Sequence, residues 1–152
     1  MKISHILKRK GHTFFSIEAD QPLSEAVRLM IHHRIGSLVV MDGGRLVSIV
    51  TERDVVWAAG SHGSNLTHMK VRDIMARKLV TCGADDSLDH AMDLMTQNPT
   101  KQRIRHLPVL EGGKLIGVIS IGDIVHALLT EREFENKLLK TYIKKWPDEE
   151  TA

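Results

Sequence analysis

Apolar and polar positions alternate along this chain in two rhythms. Leu23, Ala26, Val27, Met30 and Ile31 recur at the three-to-four-residue spacing of a helix with one apolar face, and Leu88, Ala91, Met92 and Met95 repeat the stripe later. After each stripe come two β-branched runs, Ser37–Met41 with Arg45–Val50, then Leu107–Leu110 with Leu115–Ile119. Asp42-Gly43-Gly44 and Glu111-Gly112-Gly113 separate the runs, and such dipeptides are the strongest short hairpin signal. Upstream, Phe14–Glu18 and Leu79–Cys82 read as short strands. They end in the acidic turns Asp20-Gln21-Pro22 and Asp85-Asp86-Ser87, which start helices. Lys2–Leu7 and Lys70–Met75 each read as one helical turn. Thr51 and Ser120 close the last strands and open helices over Asp54–Ala59 and Asp123–Glu131.

Each half therefore reads α, β, α, β, β, α, and the halves are copies. Arg34–Asp54 recurs at Arg103–Asp123 in one gapless register, while Asn98-Pro99-Thr100-Lys101 forms an extra loop in the second copy. A half with one apolar sheet face buries it against its twin and leaves a cleft between two equivalent sites. The expected fold is α/β (α+β), each repeat a small, mostly three-stranded sheet with flanking helices. Residues 1–60 form the first repeat, the Gly-, Ser- and His-rich 61–69 a linker, 70–131 the second repeat, and 132–152 a C-terminal helical tail. Along the tail Leu128, Phe134, Leu138, Tyr142 and Trp146 form a stripe, for packing on its own module or on a second molecule. Pro147 and Asp148-Glu149-Glu150 are expected to end the order.

Composition narrows the function. Aromatic residues make up 4% of the chain, which argues against a carbohydrate cleft or a single-stranded nucleic-acid platform. The 21 basic and 19 acidic residues nearly cancel, so charge offers no reason to expect nucleic acid. Cys82 is the single cysteine, which excludes an intrachain disulfide and fits a reducing compartment. The apolar stretch in MKISHILKRKG is too short for a signal peptide, and no run approaches a membrane span, so the chain is expected to be cytoplasmic.

Two signatures in one register carry a resemblance: Gly44–Asp54 and Gly113–Asp123 both read G-x-[LIV]-x-x-[LIV]-x-[ST]-x-x-D. With the preceding helix and hairpin, the chain resembles a tandem pair of cystathionine-β-synthase (CBS) domains, a Bateman module, over nearly its whole length. Ser48 departs from the family pattern, which has the glycine seen at Gly117, and would crowd the first site slightly. The resemblance implies pseudo-twofold halves, a homodimer, and an adenosine-binding site per repeat in the central cleft. Asp54 and Asp123 would bind ribose hydroxyls, and Thr51 and Ser120 ribose or phosphate. Adenine would lie against Ile35, Gly36 and Ser37 in one site and Ile104, Arg105 and His106 in the other, with Ile49 and Val118 lining the base.

Elementary chemistry supports those roles. A carboxylate accepts two hydrogen bonds from a vicinal diol, and a hydroxyl at a helix N-terminus lies beside N–H groups that attract phosphate. Ser/Thr-x-x-Asp is equally a capping box, stabilising a helix by about 1 kcal/mol without binding anything, and the two roles are compatible. Arg53, Arg105 and His106 can all point into one cleft, which favours an anionic ligand over cationic S-adenosylmethionine. The plain alternatives are two solvated arginines and a structural histidine. Gly122 replaces Arg53 in the second copy, so the two sites should grip phosphate differently.

His32-His33 reads as solvated surface, because adjacent helical side chains diverge by about 100° and no third ligand has metal spacing. Cys82 reads as packing, with no activating motif. No acid/base or nucleophile constellation is visible. The leading expectation is a non-enzymatic regulatory sensor that needs no metal and acts in trans on an unknown protein. Its ligand would be AMP first, with ADP, ATP or NAD(H) as related candidates. The competing readings are a ligand-free assembly module that recruits a partner through the tail, and a small nucleotide-using enzyme.

Overall fold

The computed structural model of the protein describes residues 1–97 and 104–151, from Lys145 onward by backbone alone. The expected loop at Asn98–Lys101 lies outside the described residues. In chain order the elements are α1 (Ile3–Lys10), β1 (Ser16–Glu18), α2 (Leu23–His33), β2 (Ser37–Asp42), β3 (Arg45–Thr51), α3 (Glu52–His62), a 3-10 helix (Gly63–His68), α4 (Val71–Ile74), β4 (Cys82–Gly83), α5 (Leu88–Thr96), β5 (His106–Glu111), β6 (Lys114–Ser120) and α6 (Ile121–Thr151). The predicted α, β, α, β, β, α order holds in both halves.

Two three-stranded sheets result, β1-β2-β3 and β4-β5-β6. In each the first strand runs parallel to the second, and the second pairs antiparallel with the third. The duplication persists in the irregularities. Register shifts fall at Val40/Met41 and at Val109/Leu110. The hairpins turn on Gly43 and Gly44 (φ 58° and 81°) and on Gly112 and Gly113 (φ 58° and 78°), where paired positive φ needs a residue without Cβ. β4 is shorter than expected because only Cys82 and Gly83 find partners, Val109 and Leu110.

The cores do not follow chain order. Ile3, Ile6 and Leu7 of α1 are buried among Cys82, Leu88, Met95, Leu107, Val109, Ile119 and Ile124, all from the second half. Conversely, Met69 and Val71 at the start of α4 are buried with Ile17, Leu23, Ala26, Leu38, Val40 and Val50 of the first half. Backbone bonds fix the exchange: the Ile3 and Ser4 N–H groups donate to Asp86 and Ala84 carbonyls, and those of Val71 and Arg72 to Gln21 and Ala19. Each half lends its first helix to the other.

The stretch read as linker is helical. α3 reaches His62, the 3-10 helix follows, and Leu66 packs on the first core with Met69 buried beyond it. Those two apolar anchors make order out of a composition that suggests coil. α6 continues through Pro147, against the expected end there; a proline removes one helical hydrogen bond without forbidding turns on either side. Phe134, Leu138 and Tyr142 of the tail stripe are exposed within the protomer. No described helix is long and apolar enough to cross a membrane.

Candidate functional site

The end of β3 builds the first cleft. Thr51 is extended (φ −122°, ψ 163°) and caps α3: its Oγ1 accepts from the Asp54 N–H at 3.3 Å, while its own N–H donates to Asp54 Oδ2 at 2.9 Å. Thr51 Oγ1 lies a further 3.1 Å from Oδ2. The capping box is therefore real, and it orients the carboxylate through one oxygen. Ser120 and Asp123 repeat it, the Ser120 N–H donating to Asp123 Oδ2 at 2.8 Å and the Asp123 N–H to Ser120 Oγ at 3.1 Å.

Around Asp54 opens a cavity of about 700 Å³ whose wall includes Gly36, Ile49, Thr51, Arg53, Ile104, Arg105 and His106. A second compartment of about 560 Å³ shares Ile49, Asp54, Ile104 and His106 and reaches Met75, Ala76 and Lys78. Gly36 suits its place because a Cβ there would meet Glu52 Oε1 at 3.0 Å, while the Gly36 carbonyl accepts the Glu52 N–H at 3.0 Å. At the equivalent bend in the second half, the Arg105 carbonyl accepts the Ile121 N–H at 2.8 Å, which aims this segment at the cleft.

Electrostatics differ around the wall. Burial pushes the Asp54 carboxyl above its ordinary value, and the Thr51 hydrogen bonds and nearby Arg53 offset only part of that. Burial also lowers the affinity of His106 for a proton, with Lys10 and Arg105 acting in the same direction against Glu52 and Asp123. His106 Nδ1 is buried with no hydrogen-bond partner. Together the groups can hold a diol on Asp54, an anion between Arg53 and Arg105, and a flat heterocycle among Ile49, Ile104 and His106.

Eight of the sequence-predicted residues thus gather at one cavity. Ile104, Arg105 and His106, expected opposite the second carboxylate, line the Asp54 cavity. Ile35 turns toward the first core and a neighbouring groove, and Ser37 pairs with Thr51 in the β2–β3 ladder. Val118 and Asp123 hold the Lys10 ammonium instead, which donates to Asp123 Oδ2 at 2.7 Å and to the Val118 carbonyl at 2.9 Å, and Ser120 caps the helix through Asp123. Ser48 does not crowd the cleft; its hydroxyl donates to the Ala76 carbonyl at 2.6 Å.

Trp57, Ala76 and Lys10 escaped the sequence reading. Trp57 stands one helical turn beyond Asp54, a spacing that places both on one face and could have flagged it. Cys82 is buried, and burial together with Asp86 pushes its thiol up to about 12, so it serves packing. Among the described residues no group of His, Cys, Asp and Glu is arranged to hold a metal.

The CBS domain pattern matches residues 5–61 and again 71–130. The mitochondrial CBS domain-containing protein CBSX3 of Arabidopsis thaliana is 36% identical over 151 residues, covering 93% of this chain and 71% of that protein. The crystal structure of a CBS-domain-containing protein from Agrobacterium tumefaciens superposes with a TM-score of 0.78 at 36% identity, over 84% of this chain and 98% of that one. A more distant CBS domain pair, solved in complex with 5′-methylthioadenosine and S-adenosyl-L-methionine, shares the fold at 23% identity (TM-score 0.72, 86% of this chain and 98% of that one).

Proposed function

The chain belongs to the CBS-domain family, and from that premise we propose that it is a non-enzymatic, cytoplasmic regulatory module binding an adenine nucleotide in the Asp54 cleft. One observation carries the reading: a carboxylate, two arginines and a histidine line one cavity of about 700 Å³. That volume lies in the usual range for small-molecule sites. Asp54 would accept the ribose hydroxyls, Arg53 and Arg105 the phosphate, and Ile49 and Ile104 would hold the base with His106 bonded to its edge. AMP is the first candidate, with ADP, ATP and NAD(H) sharing its adenosine phosphate. Adenosine-containing ligands on the distant CBS pair support the nucleoside half. The arginine pair favours an anion over a sulfonium.

Arg53 starts α3 in the first half and Arg105 precedes β5 in the second, so a bound phosphate would tie the halves together. The exposed Val56 and Trp57 lie on that same α3, and a shift there would alter the surface offered to a partner protein. Such signalling requires the ligand to bind one state more tightly than the other. Exposed Val125 and Leu129 on α6 and exposed Val56 on α3 support a homodimer.

The test is calorimetric titration of dialysed, nucleotide-free protein with AMP, then ATP, NADH and S-adenosylmethionine at one salt concentration. Saturable binding of a phosphorylated ligand, lost in Asp54→Ala, is the expected result. Folded protein that binds none of them refutes the reading. A second reading then takes over, an assembly module without ligand, which rests on the exposed stripe of Phe134, Leu138 and Tyr142 along α6.

A further inference from the structure

We propose that the second cleft, around Asp123, is closed by the chain's own Lys10, so that the protein takes one nucleotide per chain. The stoichiometry rests on the nucleotide reading above; the closure rests on geometry alone.

Asp54 and Asp123 are equivalent in the duplication and begin alike, each accepting its capping residue's N–H through Oδ2. There the likeness ends. Asp123 Oδ2 also receives the Lys10 ammonium at 2.7 Å, in a pair whose side chains are only 34% and 23% exposed. The same ammonium donates to the Val118 carbonyl at 2.9 Å, and His12 Nδ1 lies 3.0 Å from the Ile116 carbonyl on the same strand. Two contacts to β6 and one to α6 thus fasten the segment Lys10–His12. In the first cleft, the carbonyl equivalent to that of Val118 belongs to Ile49, and it accepts the Ala76 backbone N–H at 3.2 Å. Asp54 makes no ion pair within 4.0 Å among the described residues.

The asymmetry begins in one turn of helix. Lys2–Leu7 and Lys70–Met75 are matching segments, and continuing that register pairs Lys10 with Lys78. α4 stops at Ile74 and leaves Lys78 on the wall of the Asp54 cleft. α1 runs on to Lys10 and ends at Gly11, whose φ of 97° and N–H bond to the Leu7 carbonyl at 2.7 Å turn the chain away. The longer helix fits because Gly117 has no Cβ: one built there would stand 2.8 Å from Leu7 Cδ2. In the first half Ser48 fills that position and holds Ala76.

A ribose entering the second cleft must take both Asp123 and the Val118 carbonyl from an ammonium. Its hydroxyls can hydrogen-bond the carboxylate but cannot replace the ion pair with Lys10, and the displaced ammonium offsets part of the gain, so affinity there should be at least about tenfold weaker than at Asp54.

Two measurements decide it. Titration with AMP should give one mole per mole of wild-type chain and two for Lys10→Met, and Asp123→Ala should leave the wild-type stoichiometry at one. Two sites of similar affinity in wild type, or one site in Lys10→Met, would overturn the proposal. Independently of nucleotide, pulse acylation with acetic anhydride read by mass spectrometry should modify ion-paired Lys10 more slowly than Lys8 on the same helix, and Asp123→Asn should abolish the difference. Equal rates in wild type overturn the closure. No AMP binding together with a protected Lys10 would refute the nucleotide reading and the stoichiometry while keeping the closed cleft.

Discussion

Ser48 and Gly117 hold the same place on β3 and β6, yet each is fitted to a different neighbour: the Ser48 hydroxyl bonds the Ala76 carbonyl at 2.6 Å, whereas Gly117 makes room for Leu7. Neither residue suits the other's site. Ser48→Ala removes a bond beneath the cleft wall and should cost about 1 kcal/mol. Gly117→Ala forces a methyl against a wholly buried Leu7 and should cost about 1–3 kcal/mol. Urea denaturation of both variants checks the pair, and an unchanged midpoint for Gly117→Ala would mean that Leu7 can move aside.

The two carboxylates should respond oppositely to acid. Burial raises the Asp54 value, so its folded form holds a proton above the range where the unfolded chain releases it; its contribution to stability is complete at low pH and is lost as pH rises through the raised value. Binding a diol needs the ionised form, so affinity for adenosine should fall as pH drops through that same value. Burial also raises Asp123, but the hydrogen bonds from Lys10 and Ser120 prevail and the net shift is downward. Its contribution is present above the ordinary carboxylate range and is lost only as pH falls through the lowered value. Titrations with adenosine, which carries no titrating phosphate, should weaken at a pH where the Lys10–Asp123 pair still stands. Constant affinity down to acid unfolding would remove Asp54 from the site.

Arg53→Gln and Arg105→Gln should separate phosphate from nucleoside. Each deletes a charge-assisted bond and should weaken AMP about tenfold while leaving adenosine nearly unchanged. Parallel titrations with both ligands measure the split; equal losses would mean that the arginines support the cleft rather than the ligand.

The exposed apolar faces of α3 and α6 predict self-association. Wild-type protein should sediment as a dimer and Leu129→Glu as a monomer with unchanged circular dichroism, because Leu129 is 57% exposed within the protomer. A monomeric wild type would instead leave these faces for another protein.

Local chemistry was readable in the chain and partnership was not. Asp42-Gly43-Gly44 announces its hairpin because the turn's dihedral angles admit few other residues, and Thr51-x-x-Asp54 announces its cap for a similar reason. The spacing of Ile3, Ile6 and Leu7 says that one face is buried, but the same spacing serves either sheet, so the exchange of α1 and α4 leaves no mark. Ala76 acts through its backbone, which has no letter in the sequence. Lys10 looks like any cation at a helix C-terminus, where favourable interaction with the dipole already accounts for it. Gly60–His68 joins the two matched repeats, and its helical form was not legible because turn-forming residues outnumber the apolar anchors Leu66 and, just beyond it, Met69.

The exchange of first helices also constrains the lineage. A single unduplicated repeat, with its leading helix shaped for another copy's sheet, could cover its core only by pairing with an identical chain, whose two clefts would then have been the same by symmetry. Joining the copies in one polypeptide released each cleft from its twin. A change that lengthened one helix could then silence one cleft and spare the other.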